Sequence, residues 1–197
     1  MSENYYDKNA QELYKRYQSL DPDQIHCNWA HLIPMHGKAL DVGCGSGRDA
    51  FFFACQGCEV TAVDPSPALL ALAEDRYDAY DFRWLQDSLP HLSKVQALNE
   101  HFDIILLNAV WMHIEPKERI TALQNLTELL SPKGKLIFNL RYGPSDPAQG
   151  LLPVDGDELR QQAKDLNLAD IPLKYPVSED LLERDGISWE TLVFEKG

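Results

Sequence analysis

The residues with the plainest chemical meaning are a run of glycines behind an acid: Asp41-Val42-Gly43-Cys44-Gly45-Ser46-Gly47, followed by Arg48. An apolar stretch precedes the run and a helical pattern follows it. A strand that turns on glycines into a helix presents unpaired backbone N–H groups at the helix start, and glycine lets a ligand come close to the backbone. In an open parallel sheet such a turn lies at the carboxyl edge, where ligands bind. Further polar residues recur at the ends of later strands. Asp64, followed by Pro65, closes the second strand, where a carboxylate can accept both hydroxyls of a ribose. Asp87, beside Ser88, follows the third and can accept from an adenine amino group or serve as a turn residue. Asn108 closes the fourth, and the backbone of Ala109 and Val110 beyond it faces the same edge.

The spacing of the glycines discriminates between nucleotides. A dinucleotide fingerprint, GxGxxG, requires a third glycine at position 48, where this chain has Arg48; its glycine stands at 47. Asp41 would repel a diphosphate, whereas it can order the loop and attract an ammonium group. S-adenosylmethionine (SAM) carries an ammonium and a sulfonium, so the pattern favours SAM, with S-adenosylhomocysteine (SAH) as product, over NAD.

Methyl transfer from a sulfonium is an in-line displacement with a good leaving group, so alignment and exclusion of water matter most, and a base is required only for a protonated acceptor. His113 is the candidate base; the alternative is that it anchors the helix after it. Trp111 can wall an acceptor pocket or face a cation with its ring, or else belong to the core. Arg141 and Tyr142, just after the fifth strand, lie at the same edge and are candidate acceptor contacts. His26, His31 and His36 are spaced by five, which spreads them around a helix, and Cys55-x-x-Cys58 has no second ligand pair, so no metal site is predicted. The cysteine pair reads as a helix end and a strand start, with a redox motif as the alternative.

These residues need a scaffold of alternating strands and helices. Residues 5–20 predict one amphipathic helix, with Tyr6, Ala10, Leu13, Tyr14 and Tyr17 on its apolar stripe. Asp21-Pro22 starts a second, carrying Ile25, Trp29, Leu32 and Ile33. From Lys38 onward strands are expected at 38–42, 59–63, 82–85, 102–108 and 135–140, with helices at 48–56, from Ser66-Pro67 to 76, at 92–99 and at 116–130. Strands apolar on both faces with helices between them imply a parallel sheet covered on both sides. In the tail, Asp155 caps a helix to Leu166, residues 171–177 with Pro172 and Pro176 form at best an edge strand, and 189–194 is a final strand able to pair antiparallel. A single domain is expected, with residues 1–36 as a helical cap and 37–197 as the core.

Composition narrows the partners. The chain has 197 residues, 44% apolar and 25% charged, with a formal net charge of −13. That charge repels phosphate backbones, so nucleic acid is disfavoured and a small neutral or cationic acceptor fits better. No apolar run reaches membrane-spanning length and the polar, acidic start is no signal peptide, so a cytoplasmic location is expected.

Taken together, LDVGCGSGRDA (40–50), VTAVDPSP (60–67), LQDS (85–88), FDIILLNAVWMHI (102–114) and LSPKGKLIFNL (130–140) resemble the successive motifs of class I SAM-dependent methyltransferases. YYDKNAQELYKRYQSL (5–20) and the GSGRD turn look more narrowly like a small bacterial group allied to tellurite-resistance-type methyltransferases. The resemblance covers nearly the whole chain. It implies a Rossmann-like seven-stranded sheet, mostly parallel with the last strand antiparallel, flanked by helices and lidded by the N-terminal helix. It implies that Gly43, Gly45 and Gly47, with Cys44 between them, wrap the methionine moiety, that Asp64 holds the ribose, that Asp87 and Ser88 meet the adenine, and that Asn108 and Ala109 line the reactive end. Tyr5, Tyr14 and Arg16 on the lid become candidate SAM contacts, and Arg48 a candidate for the SAM carboxylate. The chain departs from longer members in its short 143–150 loop, and it has no Asn-Pro-Pro-Tyr sequence of the DNA amino-methylating kind. The expected activity is methyl transfer to a small molecule; the alternatives are a protein or tRNA acceptor, or a SAM-binding sensor without catalysis.

Overall fold

The computed structural model describes residues 3–197. Eight strands form one sheet: β1 Lys38–Val42, β2 Glu59–Asp64, β3 Arg83–Gln86, β4 Phe102–Asn108, β5 Leu130–Tyr142, β6 Leu168–Asp170, β7 Val177–Glu179 and β8 Ser188–Lys196. Their order is β3-β2-β1-β4-β5-β8-β6, and β7 also pairs with β8. The first five run parallel, while β8 is antiparallel to β5, β6 and β7. The antiparallel last strand is as expected; the strand count is eight, not seven, because the short β7 is added beside β8.

Chain order reverses between β1 and its two neighbours, β2 and β4, so the crevice above β1 is the topological switch point where this class of sheet binds ligands. Burial explains the strands. Ile104 and Leu106 of β4 face one side and Ile105 and Leu107 the other, and all four are fully buried. One core, containing Ile105, Leu107, Phe138 and Phe194, lies under α7 (Pro116–Leu129) and α8 (Gly156–Asp165). The other, containing Ala39, Ile104, Leu106 and Ile137, lies under α4 (Arg48–Cys55) and receives Phe53 and Trp29.

Helix ends follow local chemistry. The Ser66 hydroxyl accepts from Leu69 N–H and starts α5 (Pro67–Arg76); Asp155 accepts from Asp157 and Glu158 N–H and starts α8. Cys55 ends α4, Gly57 follows at φ +88° and Cys58 precedes β2; both cysteines are free.

Several sequence expectations are corrected. The helix over 5–20 is two, α1 Glu3–Lys8 and α2 Ala10–Gln18, separated at Asn9, whose backbone leaves the helical region at φ −109° and ψ 14° and whose side-chain amide donates to the Tyr5 carbonyl. The helix from Pro22 stops at His26 as α3; a 3₁₀ turn at Ala30–Leu32 follows, and Trp29 drops into the core against the His26 ring, 4.6 Å between centroids. The helix expected at 92–99 is reduced to α6, Ser93–Gln96, because Leu92 and Asn99 adopt φ +49° and +54° at its two ends. Residues 171–176 form no strand, since the prolines cannot donate to a ladder; β6 and β7 flank them instead. β5 begins at Leu130, five residues early, with a register shift against β4 where Pro132–Gly134 interrupt the ladder. No helix among the described residues is long and apolar enough to cross a membrane.

Phe138 joins the carboxyl-edge residues to the core, its ring 5.1 Å from Trp111 and 6.0 Å from Phe194. Phe138→Ala is expected to lower stability by about 3–5 kcal/mol in urea unfolding, by loss of buried area plus a cavity.

Candidate active site

A cavity of about 270 Å³ opens above the carboxyl ends of β1, β2, β4 and β5 and runs on to β8. Its floor holds the glycine turn, Asp64 and Asn108–Val110; Tyr6, Arg16 and Tyr17 from α1 and α2 roof it; Arg141, Trp189 and Thr191 wall its far end.

The turn is shaped by what a side chain would strike. Gly43 has φ +72°, and a Cβ there would come within 2.5 Å of Val110; Gly45 has φ +52°, and a Cβ would meet the Tyr17 ring at 3.3 Å. Both positions need glycine for conformation and for space. Gly43 and Cys44 N–H donate to the Val63 carbonyl at 2.8 and 2.9 Å, which lashes the turn to β2.

Asp64 completes the lashing. One carboxylate oxygen accepts from Gly45 N–H at 2.9 Å and the other from Ser66 N–H at 2.8 Å. Burial pushes this carboxyl up to about 6, against the pull of those two donors. A carboxylate has about four lone-pair sites, so two remain for hydroxyl donors in the cavity.

Asp49, the second residue of α4, was not singled out from the sequence, yet it is the hub of the floor. Its oxygens accept from Arg48 Nε at 2.8 Å and Nη2 at 2.9 Å, from His26 Nε2 at 2.9 Å and from Asn108 Nδ2 at 2.8 Å. Despite burial, Arg48 and His26 hold it well below the usual carboxylate range. Asn139 Nδ2 then donates to Asn108 Oδ1 at 2.9 Å, so the chain of bonds crosses β4 to β5. The available signal was an acid in the first turn of the helix that leaves the glycine turn.

The remaining candidates separate into two groups. Gly43, Cys44, Gly45, Arg48, Asp64, Pro65, Asn108, Ala109, Val110, Arg16, His113 and Arg141 all line the cavity. Ala109 adopts φ +61°, a strained conformation for a residue with a Cβ, and its N–H donates to the Asn139 carbonyl. Arg48 is engaged by Asp49 and by the Tyr17 carbonyl, leaving Arg16 as the freer guanidinium near the turn. Gly47 starts α4 and packs toward Trp84 and Ala73. Asp41 lies beneath the turn, nearly fully buried, with Oδ2 unpartnered and its carboxyl pushed well up by burial and by Asp49.

Outside the cavity wall stand six others. Tyr5 and Tyr14 pack against α5, while Tyr6 and Tyr17, on the inward stripe of the lid, take the positions over the cavity. Asp87 spends its carboxylate on Ser88, Lys94 and Val95 N–H and so caps α6, with Ser88 beside it. Trp111 is 2% exposed and packs on Phe138, and the Tyr142 hydroxyl donates to Glu190 and accepts from Gly156 N–H.

At the reacting end, His113 Nδ1 lies 3.1 Å from the Gly150 carbonyl and Nε2 lies 3.0 Å from the Tyr6 hydroxyl. A carbonyl only accepts, so the proton is assigned to Nδ1, and Tyr6 donates to Nε2. Burial pushes the imidazole down to about 4 and the phenol well up, so both are neutral near pH 7. Among the described residues no cluster of His, Cys, Asp or Glu is placed to hold a metal ion.

The residues present fit SAM: backbone approachable at Gly43 and Gly45, spare acceptor sites on Asp64, and a half-buried guanidinium at Arg16. Comparison with known proteins agrees. A methyltransferase-domain family model matches residues 39–134. An uncharacterized methyltransferase of Mycobacterium tuberculosis is 37% identical over 115 residues, 58% of this chain and 56% of that protein. Ribosomal RNA small subunit methyltransferase J of Aeromonas hydrophila is 28% identical over 127 residues, 59% of this chain and 47% of that protein. The chain thus spans about half the length of most of the curated relatives it matches. Among solved structures, the Burkholderia thailandensis 1,6-didemethyltoxoflavin-N1-methyltransferase, with 1,6-didemethyltoxoflavin and SAH bound, superposes with TM-score 0.72 at 22% identity, over 98% of this chain and 84% of that one. Turn, sheet order and family match together identify residues 39–134 as a methyltransferase domain of the class I SAM-dependent kind.

Proposed function

We propose that this chain transfers a methyl group from SAM to a small-molecule acceptor held at the far end of the cavity. The observation that carries the reading is that one cavity runs from the glycine turn past Asn108–Val110 to Tyr6, His113, Arg141 and Trp189. When bound, SAM supplies an electrophilic methyl on a sulfonium.

The chain's residues do the rest. Asp64 accepts the ribose hydroxyls on its spare lone pairs. Gly43 and Gly45 admit the methionine end against the backbone, and Arg16 takes its carboxylate. The lid keeps water from the reacting centre. Tyr6 and His113 receive the acceptor's proton: the Tyr6 oxygen accepts it while the phenolic proton passes to Nε2. A weak base is sufficient for a hydroxyl acceptor, because that proton becomes strongly acidic as the new bond forms. The net charge of −13 supports a small acceptor over a nucleic acid.

Two tests follow. Only the carboxylate form of Asp64 can accept from both hydroxyls, and its carboxyl titrates at about 6 in the free protein. Cofactor binding lowers that value, so affinity is lost as pH falls through 6, by up to about tenfold per pH unit. Calorimetric titration of SAH between pH 5 and pH 8, roughly bracketing that transition, should show this slope, and Asp64→Asn should flatten it. Incubation with methyl-labelled SAM and a metabolite extract should put label into the small-molecule fraction, with His113→Ala about a hundredfold slower. Label entering RNA or protein instead would overturn the acceptor class, and tight binding with no transfer would leave a sensor.

A further inference from the structure

In this acidic chain, two of the four arginines that line the cavity are matched by a carboxylate. Arg48 pairs with Asp49, and Arg184 pairs with Asp180 at 2.7 and 2.9 Å. Farther out, Arg160 pairs with Glu190 and Arg83 with Glu100. Arg16, assigned above to the cofactor carboxylate, and Arg141 have no such partner among the described residues, and of the two it is Arg141 that stands away from the glycine turn. It lines the far end of the cavity at the end of β5, half-buried, and among the described residues it forms no ion pair. Its one side-chain hydrogen bond among them is a long one, Nη1 to the Pro144 carbonyl at 3.4 Å.

The nearby carboxylates are already engaged. Asp180 accepts from Arg184 N–H and guanidinium and from Trp189 Nε1. Asp146 accepts from Ala148 N–H and from the Gln149 N–H and side-chain amide. A partly desolvated guanidinium with an open fork of donors is costly unless an anion fills it. Burial, with Arg184 close by, holds Arg141 below the ordinary guanidinium range, the direction expected of a cation lacking its counter-ion.

We propose that Arg141 is a carboxylate subsite, and that the methyl acceptor is a monocarboxylic acid whose apolar body lies against Trp189, Met112 and Leu151. This inference rests on the methyl-transfer reading of the same cavity. One guanidinium compensates one negative charge, and the Asp180 and Asp146 carboxylates lie near it, so a dianionic phosphate is disfavoured where a carboxylate is accepted. The carboxylate also supplies orientation: a bidentate grip at Arg141 fixes the body of the acceptor and presents its nucleophile towards Tyr6, His113 and the end of β4.

Simple probes test the subsite without knowledge of the natural acceptor. Benzoate, benzamide and phenyl phosphate are titrated against the SAH-saturated protein by ligand-detected NMR. Benzoate should bind saturably, benzamide about tenfold more weakly or worse, and phenyl phosphate no better than benzamide. Arg141→Gln should reduce benzoate to the benzamide level, and Arg141→Lys, which keeps the charge and loses the fork, should recover part of the difference. Equal binding of benzoate and benzamide, no binding of either, tighter binding of phenyl phosphate, or unchanged benzoate binding in Arg141→Gln would each overturn the proposal. SAH affinity is measured first. If SAH does not bind, the methyl-transfer reading fails by itself, while benzoate titrated into the free protein still decides whether the carboxylate subsite exists.

Discussion

The bond from Gly45 N–H to Asp64 is the constraint on which the site depends. It joins the turn after β1 to the end of β2 through a carboxylate that also accepts from Ser66 N–H. Remove it and three things lose their common anchor: the left-handed glycines, the start of α5 and the acceptor lone pairs for a ribose. The same point ties down the lid, because the Ser66 hydroxyl donates to Asp7 of α1 while accepting from Leu69 N–H. A buried carboxylate is costly, and its two backbone donors offset that cost in the absence of ligand. Burial still holds the Asp64 carboxyl above its ordinary range despite these donors, and two of its lone-pair sites stay open to ligand hydroxyls.

A second polar system lies one layer deeper. Asp49 gathers Arg48, His26 and Asn108, and Asn139 extends the chain of bonds to β5. Burying charges in this way gives little net stability, but removing one partner strands the others, so the arrangement fixes a single geometry. Its effect is to fix the Asn108 side chain between Asp49 and Asn139, with the strained backbone of Ala109 next to it in the cavity wall. Arg48 is drawn into this system, which is why the guanidinium next to the glycine turn is not the one free to meet a cofactor carboxylate.

Much of this was legible in the sequence. The parallel strands other than β3 announce themselves by apolar runs that need cover on both faces, and the glycine turn by spacing alone. The helix expectations failed where a single residue overrode a periodic pattern: Asn9 with its amide on the Tyr5 carbonyl, Leu92 and Asn99 with positive φ. Strand-end acids were found as positions but not as roles. Asp64 and Asp87 occupy equivalent places after β2 and β3, yet Asp87 turns away to cap α6, a choice set by the chain folding back over Lys94 and Val95. The lid tyrosines show the same limit. The stripe containing Tyr6 and Tyr17 was visible, but only tertiary packing shows that these two, and not Tyr5 and Tyr14, overhang the cavity. The pairing of Tyr6 with His113, 107 positions apart, has no local signal at all.

The crevice above β1 is built for SAM and not for a dinucleotide. Calorimetric titration of the protein with SAM and, separately, with NADH tests it most directly. One SAM site of roughly micromolar affinity is expected, weakened roughly a hundredfold in Asp64→Ala through loss of two charge-assisted hydrogen bonds, with no heat from NADH. Binding of NADH without binding of SAM would contradict it.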